Sequence, residues 1–346
     1  MKGRVLVGMS GGVDSTVSCL LLQQQGYEVV GISFRFIDDF DDTDAKKVAL
    51  QMNIEHHTID YRDEFKKLII DKFLDDYMHG LTPNPCIHCN INCKFKFLFD
   101  NMKKYSCDYI STGHYAKIED NRLKKSVDKN KDQTYFLYGI PKEMLSKIKF
   151  PLDGISKDKV REIAKENGFV NYNKKDSFDV CFITESFKEY MKKNIHSNPG
   201  NIVLIDTNEV IGKHDGLNNY TIGQRRGLSI GGYDDRMFVV GKDTDKNILY
   251  VSIGDDSDYL TSTSCVLRDV NLLVDDKFDK CRAKFRYRSD EVDVNIEYIN
   301  NELVVHYDEL KRITPGQACV FYDGDVCLGG GIIKEVRKDG KKLWYV

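Results

Sequence analysis

Two short stretches carry the residue types that could do chemistry. The first, "VGMSGGVDSTV" at 7 to 17, leaves an apolar strand through Gly8, Met9, Ser10, Gly11, Gly12 and Val13. Asp14 and Ser15 then open a helical pattern. A turn that ends a strand and starts a helix leaves backbone N–H groups unpaired at the positive end of the helix dipole. Glycines let that backbone approach an anion without a Cβ in the way, and the two serines add hydroxyl donors. The stretch therefore predicts a phosphate cradle. It lacks the Gly-Lys-Ser/Thr ending of a Walker A loop, which excludes an ordinary P-loop. A tight turn with glycines for packing alone is the bland alternative.

The second stretch, "TPNPCIHCNINC" at 82 to 93, sets Cys86, Cys89 and Cys93 in one loop. A C-x-x-C pair in a chain without a secretory signal points to thiol or metal chemistry rather than a disulfide framework. Zinc is one use, with Cys93 or His88 as further ligands. Cys93 reads as core instead, since it lies one helical turn beyond Cys89. Of the ten cysteines, Cys19 falls in the apolar stripe of the first helix, and Cys107, Cys319 and Cys327 border strand-like runs. Those four are expected to be small buried hydrophobes. His56, His57 and His79 show no partner pattern and are expected at the surface or in packing.

A net charge of −3 gives no global signal for nucleic acid, so any such contact must be local. The local candidate is "RAKFRYR" at 282 to 288. Read as a strand, it puts Arg282, Lys284, Arg286 and Arg288 on one face and Ala283, Phe285 and Tyr287 on the other. A phosphate backbone would answer such a row of cations; an edge strand guarded by charge is the alternative. "QRR" at 224 to 226 and "KKSVDKNKDQ" at 124 to 133 are weaker basic patches. The acidic run "DDFDDTD" at 38 to 44 is expected as a solvated loop rather than a magnesium site.

The elements that must position these residues change character along the chain. At 346 residues, two or three domains are expected. "RVLVGM" and "EVVGISF" read as continuous apolar strands, with the helical "STVSCLLLQQQG" between them. "DAKKVALQM", "DEFKKLIIDKFLDDYMHG" and "CKFKFLFDNMKKY" supply further helices, while "EHHTIDY" and "CDYISTGH" read as strands. This alternation predicts βαβ units on a parallel sheet over 1–195. The helix "SKDKVREIAKENG" is expected to start at Ser156 and stop at Gly168. Over 196–257, "NPGNIVLIDTNEVIGKHDG" and "MFVVGKDTDKNILYVSIG" suggest two hairpins in a small central α+β domain. From 258 to 346, short strands separated by "NN", "PGQ" and "DG" turns predict an antiparallel β-barrel. No apolar run reaches the length of a membrane span, and a cytosolic location is expected.

"SGGVDS" at 10 to 15 resembles the pyrophosphatase-type loop of the adenine-nucleotide α-hydrolase-like superfamily, whose members bind ATP and adenylate a carbonyl oxygen. "TPNPCIHCN", "STGHY", "KDQTYFLYG", "DVCFI", "GLNNYTIGQRRGL", "FRYR" and "PGQACVFY" extend a resemblance to the bacterial tRNA-specific 2-thiouridylases over essentially the whole chain. That resemblance implies an enzyme that replaces the C2 oxygen of a tRNA wobble uridine with sulfur, using ATP and Mg²⁺. It implies Cys89 as nucleophile and Cys181 as carrier of a persulfide. Gly8 to Ser15, Phe34 and Gly113 fall on ATP-contacting positions, and Asn84, Pro85 and Cys86 on the loop that meets the target base. His114, Lys131, Asp132, Gln133, Arg286, Tyr287 and Gln317 fall on tRNA contacts. A monomer is expected, served by a sulfur donor such as a cysteine desulfurase or a relay protein.

One position departs from the pattern. The family reads Asn-Pro-Asp-x-x-Cys-Asn, whereas this chain has Cys86 where the aspartate is expected. With Cys89 and Cys181 this makes a three-thiol set, and three thiolates can hold a [4Fe–4S] cluster with one iron open to a hydrosulfide. A persulfide relay without metal, and zinc, stay open beside it. Two rival functions remain: an ATP-dependent ligase of small molecules, and a metal-containing RNA-binding protein without turnover.

Overall fold

β1 (Arg4–Gly8) is buried along its middle and lies between parallel neighbours β2 (Glu28–Arg35) and β4 (Tyr109–Ser111). β3 (Glu55–Asp60) extends the sheet on one side. On the other, after the hairpin β5 (Lys117–Glu119) and β6 (Arg122–Lys124), comes β7 (Ile148–Lys149), giving the order β3-β2-β1-β4-β7. The side-chain alternation of a strand sends Leu6, Val30 and Ile32 to one face and Val5, Val7 and Val29 to the other. Both faces are covered, as a parallel sheet requires. The chain is described by a computed structural model over residues 2–175, 180–228, 230–231, 235–300 and 302–346.

The helices of this half are α1 (Val13–Gln24), α2 (Thr43–Gln51), α3 (Arg62–Phe65), α4 (Asp71–Met78), α5 (Pro85–Cys89), α6 (Lys96–Met102), α7 (Thr134–Leu137), α8 (Lys157–Glu166) and α9 (Phe187–Asn194). Two stretches expected as plain helices are instead interrupted by π-helical turns, Lys66–Ile70 and Asn90–Phe95. The second directly follows Cys89, a placement typical of functional sites. α8 starts where its sequence says: the Ser156 hydroxyl accepts from Lys159 N at 3.4 Å, and Gly168 ends it at φ +67°.

The central sheet holds β8 (Gly200–Leu204), β9 (Glu209–His214), β10 (Met237–Asp243) and β11 (Ile248–Ile253), in the order β10-β11-β8-β9. Both expected hairpins are present, and β11 joins them by pairing in parallel with β8. The last unit comprises β12 (Thr261–Leu272), β13 (Lys280–Lys284), β14 (Val292–Ile299), β15 (Glu302–Lys311), β16 (Ala318–Asp323) and β17 (Val326–Lys338). Their order β12-β15-β14-β13-β16-β17 closes into an antiparallel barrel because β17 pairs back onto β12. β6 pairs with β17 at Lys124 and Val326, tying the nucleotide-loop half to the barrel. Of the "NN" turn, Asn301 lies outside the described residues. Among the described residues no helix is long and apolar enough to cross a membrane.

One element is shorter than its sequence suggests. β13 stops at Lys284, so Arg286 and Arg288 do not continue a strand face with Arg282 and Lys284. The cause is local. Ser289 donates from its N (3.1 Å) and its Oγ (2.9 Å) to the Arg286 carbonyl, pulling the chain into a turn.

Candidate active site

The phosphate-cradle residues come together at the carboxyl end of β1, where an open α/β sheet binds ligands. Gly11 takes φ +71°, and Gly12 caps α1 without any side-chain bond, leaving the first N–H groups to a ligand. Ser10 N donates to Ser15 Oγ at 3.3 Å, and Ser15 Oγ donates to Gly12 O at 3.1 Å, so the loop is held from within. Met9 is buried, with its carbonyl accepting from Ser33 Oγ at 2.6 Å. Gly113 touches the loop from the end of β4: a Cβ there would lie 2.8 Å from Ser15 N. Phe34 sits near the end of β2, half-buried among Phe36, Tyr61 and Phe97.

Sequence reasoning missed the side chains that clamp this loop from behind. Lys157 Nζ lies 2.7 Å from both Asp14 oxygens, and Tyr115 OH donates to Asp14 Oδ1 at 2.8 Å. Asn171 Nδ2 donates to Gly11 O at 3.1 Å and to Thr16 Oγ1 at 2.8 Å. Lys174 pairs with Asp44, one carboxylate of the acidic run, at 2.7 Å. No local pattern could have announced bonds between residues so far apart in sequence.

The cysteine loop is built on α5. Asn84 is its N-cap, accepting from Cys86 N at 3.2 Å, and Pro85 opens the first turn. Cys86 is exposed, whereas Cys89 and Cys93 are buried with Phe65, Phe73 and Phe97. Cys93 is thus core, as are Cys19, Cys107, Cys319 and Cys327. Phe182 inserts edge-on against Phe65 (6.0 Å) and Phe73 (5.4 Å), which carries the exposed Cys181 to the same cluster.

Lys94, on the π-helical turn, stands among all four thiols. Burial pushes the Cys89 thiol up to about 12, and the Lys94 charge opposes that rise. Cys86 and Cys181 reach the surface, yet the protein packed around their sulfurs raises them too, and the same lysine eases that rise. Burial disfavours the Lys94 ammonium, yet the cysteines around it outweigh burial and raise it above its ordinary value. The thiols share one electrostatic neighbourhood without forming a ligand set. Among the described residues no three His, Cys, Asp or Glu side chains converge as a metal ion needs.

The residues expected at tRNA lie along the seam between this half and the barrel. His114 bonds Thr112 Oγ1 at 2.7 Å and stacks on Phe95; burial, then Lys94, push its imidazole down to about 3, so it is neutral. Asp132 is buried, accepting from Ser126 N at 3.0 Å and Thr134 Oγ1 at 2.7 Å. Gln133 Oε1 accepts from Tyr115 N at 2.8 Å, and Lys131 is half-buried in the same loop. Tyr287 packs on Phe136 of α7 with centroids 4.4 Å apart. Arg286 donates to Arg312 O at 2.8 Å and Thr314 Oγ1 at 3.0 Å. Gln317 Nε2 donates to Thr82 O at 2.7 Å, at the entry to the cysteine loop. Glu291 pairs with Lys125 at 2.6 Å and lies 3.9 Å from both Lys284 and Arg282. A protein carboxylate therefore answers part of the charge that the sequence seemed to leave for phosphate.

Comparison with known proteins matches the three units in order. A family model described as the tRNA methyl transferase HUP domain covers residues 3–185, and one described as the tRNA methyl transferase PRC-barrel domain covers 188–253. An aminomethyltransferase beta-barrel domain model covers 262–333. The tRNA-specific 2-thiouridylase MnmA of Oceanobacillus iheyensis is 44% identical, covering 99% of this chain and 98% of its own. That of Bacillus subtilis is 43% identical with the same coverage. A solved 4-thiouridine synthetase–RNA complex with bound ATP overlaps 55% of this chain and 49% of its own at 18% identity, and its TM-score of 0.36 is too low to inform the site. With near-complete coverage at this identity, the chain belongs to the tRNA-specific 2-thiouridylase family.

Proposed function

We propose that this chain replaces the C2 oxygen of the wobble uridine of tRNA with sulfur, at the expense of ATP. One observation carries the reading: an uncapped helix start shaped for phosphate shares a fold with a barrel-braced cysteine loop to which Cys181 is also brought. A ligase of small molecules has no use for the thiols, and an RNA-binding module has no use for the cradle. Methyl transfer, the activity named for two of the domains, has no step that releases pyrophosphate into such a cradle.

The uridine, splayed from its stack, presents O2 to the α-phosphorus of ATP. The P–O bond to pyrophosphate breaks as the O2–P bond forms, and the loop from Ser10 to Ser15 receives the leaving pyrophosphate. C2 then carries AMP as a good leaving group. The terminal sulfur of a persulfide on Cys181 attacks C2 and AMP departs, leaving C2 joined to Cys181 through a disulfide. Cys89, as thiolate, attacks the Cys181 sulfur and releases 2-thiouridine. The resulting Cys89–Cys181 disulfide needs an external thiol reductant before the next cycle. Lys94 is the cation placed to favour the Cys89 thiolate against burial. Exposure of Cys181 suits loading by a donor protein, either a cysteine desulfurase or a relay protein, and ten unpaired cysteines suit a reducing cytosol.

A [4Fe–4S] cluster on Cys86, Cys89 and Cys181 is the second reading, favoured by three soft thiols that feel one another's charge. As folded they do not converge on a ligand set, so no step is routed through a cluster. Mg²⁺, when bound, would shield the departing pyrophosphate. The test is to incubate the protein with ATP, unmodified tRNA and a persulfide donor, and to analyse the nucleosides. Formation of 2-thiouridine that depends on ATP, Cys89 and Cys181 is expected; a tRNA left unchanged by the active donor system would remove the reading.

A further inference from the structure

Arg225 and Arg226 lie on the chain between β9 and β10, exposed, and among the described residues their guanidinium groups have no hydrogen bond or ion pair. Exposure alone does not make a site, but this loop is held stiffly. Tyr220 and Leu228 anchor it in the core of the central sheet. Between them Gln224 folds the chain on itself: its Oε1 accepts from Thr221 N at 3.0 Å and its Nε2 donates to Arg226 O at 2.9 Å. Gly223 N donates to Val239 O at 2.7 Å, and Val239 N to Gln224 O at 3.0 Å, tying the loop to β10. Two cations on so fixed a backbone can bind an anion with little ordering of the chain.

The loop is also dovetailed to the barrel. Gly223, at φ +83°, lies so close to Arg312 that a Cβ would sit 2.5 Å from its Cδ. Arg312, which follows β15, itself takes φ +64°, a conformation that residues with a Cβ seldom adopt. Contacts on both sides hold it there. Its guanidinium lies over the Phe238 ring at 5.1 Å and pairs with Asp255, while its carbonyl accepts from Arg286 at 2.8 Å. Arg312 thus joins the Gln224–Arg226 loop to the turn that carries Arg286 and Arg288.

The charge at this seam is left over. Asp255 is taken by Arg312 and Asp256 by Lys311. Arg286 donates to the neutral oxygens of Arg312 and Thr314, and the exposed Arg288 guanidinium has no hydrogen bond or ion pair among the described residues. Four arginine charges therefore stand without a paired carboxylate on two neighbouring turns. A chain of regularly spaced phosphates answers such a set, and the guanidinium fork suits phosphate oxygens.

We propose that the Gln224–Arg226 loop binds the sugar–phosphate backbone of RNA, so that the central sheet extends the barrel's grip on tRNA. The inference rests on the tRNA reading of the barrel.

Fluorescence anisotropy of labelled, unmodified tRNA with the full chain, across a potassium chloride series without ATP, tests this. The double variant Arg225→Ala with Arg226→Ala should bind about tenfold more weakly at moderate salt, with the salt slope lower by about two units, one per lost phosphate contact. Arg225→Lys with Arg226→Lys should keep the slope. Both should keep the wild-type Tm, because the replaced groups hold nothing in the fold. Should the alanine pair lower Tm, the glutamine pair decides by the same slope. A wild-type slope in the alanine or glutamine pair overturns the inference. So does a variant with wild-type tRNA binding that takes sulfur from a small persulfide but no longer from a donor protein, since the loop would then be a protein contact. Failure of the wild-type chain to bind tRNA would instead strike the tRNA reading itself.

Discussion

Gln317 and Thr82 join the barrel to the chain that leads into the cysteine helix. Gln317 Nε2 donates to Thr82 O at 2.7 Å, and Thr82 N donates to Pro315 O at 3.0 Å. Gly316, at φ +90°, comes so close that a Cβ would lie 2.9 Å from Thr82 N. The barrel turn therefore braces the chain two residues before Asn84, the cap of the cysteine helix. On the proposed reading, in which tRNA engages the barrel, this brace would register it against the thiols.

Gln317→Ala should loosen that register. One hydrogen bond of this kind contributes about 1 kcal/mol, so kcat/KM for tRNA should fall several-fold with little change in Tm. An ATP affinity equal to wild type, measured alongside, would place the defect at the loop. Unchanged kcat/KM would mean the brace has no part in turnover.

Much of this was legible in the sequence because it is written locally. The Gly11–Gly12 turn, the Ser156 cap, the two central hairpins and the barrel turns each depend on a few neighbouring residues. "RAKFRYR" misled because alternation persists in burial while the Ser289 turn ends the strand at Lys284. The clamps on the nucleotide loop were illegible for the opposite reason. Lys157 and Asn171 look like ordinary polar residues until folding brings them to Asp14 and Gly11. Cys181 was named through resemblance alone; its approach depends on Phe182 finding Phe65 and Phe73.

Arg286 has two duties that substitution can separate. Its guanidinium holds Arg312 O and Thr314 Oγ1, and its charge is one of those proposed to meet RNA phosphate. Arg286→Ala should lower stability by about 1–2 kcal/mol and reduce the salt dependence of tRNA binding by about one unit of slope. Arg286→Lys should keep the slope but lose stability, because an ammonium cannot reproduce the planar fork. Binding measured across a potassium chloride series, with urea unfolding of each variant, reads both. A normal slope in Arg286→Ala would mean that this charge meets only water and protein.

Thiol reactivity should follow exposure. Cys86 and Cys181 are exposed and should alkylate first, with Cys89 and Cys93 protected until unfolding. The same burial gives a pH dependence. Cys19 and Cys89 are both raised to about 12 from 9.0. Above about pH 9 the unfolded chain therefore loses protons that the fold retains, and stability should fall as pH rises towards about 12. Urea unfolding at mildly alkaline and at strongly alkaline pH checks the sign. Stability that rises across this window would contradict it.

Cys86 separates the two sulfur routes. Under the relay, Cys86→Ala stays active without iron, and only Cys89 and Cys181 are essential. Under the cluster, Cys86→Ala, Cys89→Ala and Cys181→Ala each lose iron and activity together, while Cys93→Ala keeps both. Cys86→Asp, which puts back the residue that the resemblance leads one to expect, should hold a labile cluster with partial activity, since a carboxylate binds iron less well than a thiolate. Iron analysis of anaerobically purified variants beside their turnover decides between the routes.

The most direct test of the whole account is nucleoside mass spectrometry of unmodified tRNA after incubation with the iron-free protein, ATP, Mg²⁺ and a persulfide donor. The account predicts 2-thiouridine at the wobble position, absent without ATP and absent in Cys89→Ser and Cys181→Ser. A wobble uridine left unmodified by the folded, ATP-binding protein, or sulfur insertion that proceeds without ATP or without those two cysteines, would contradict it.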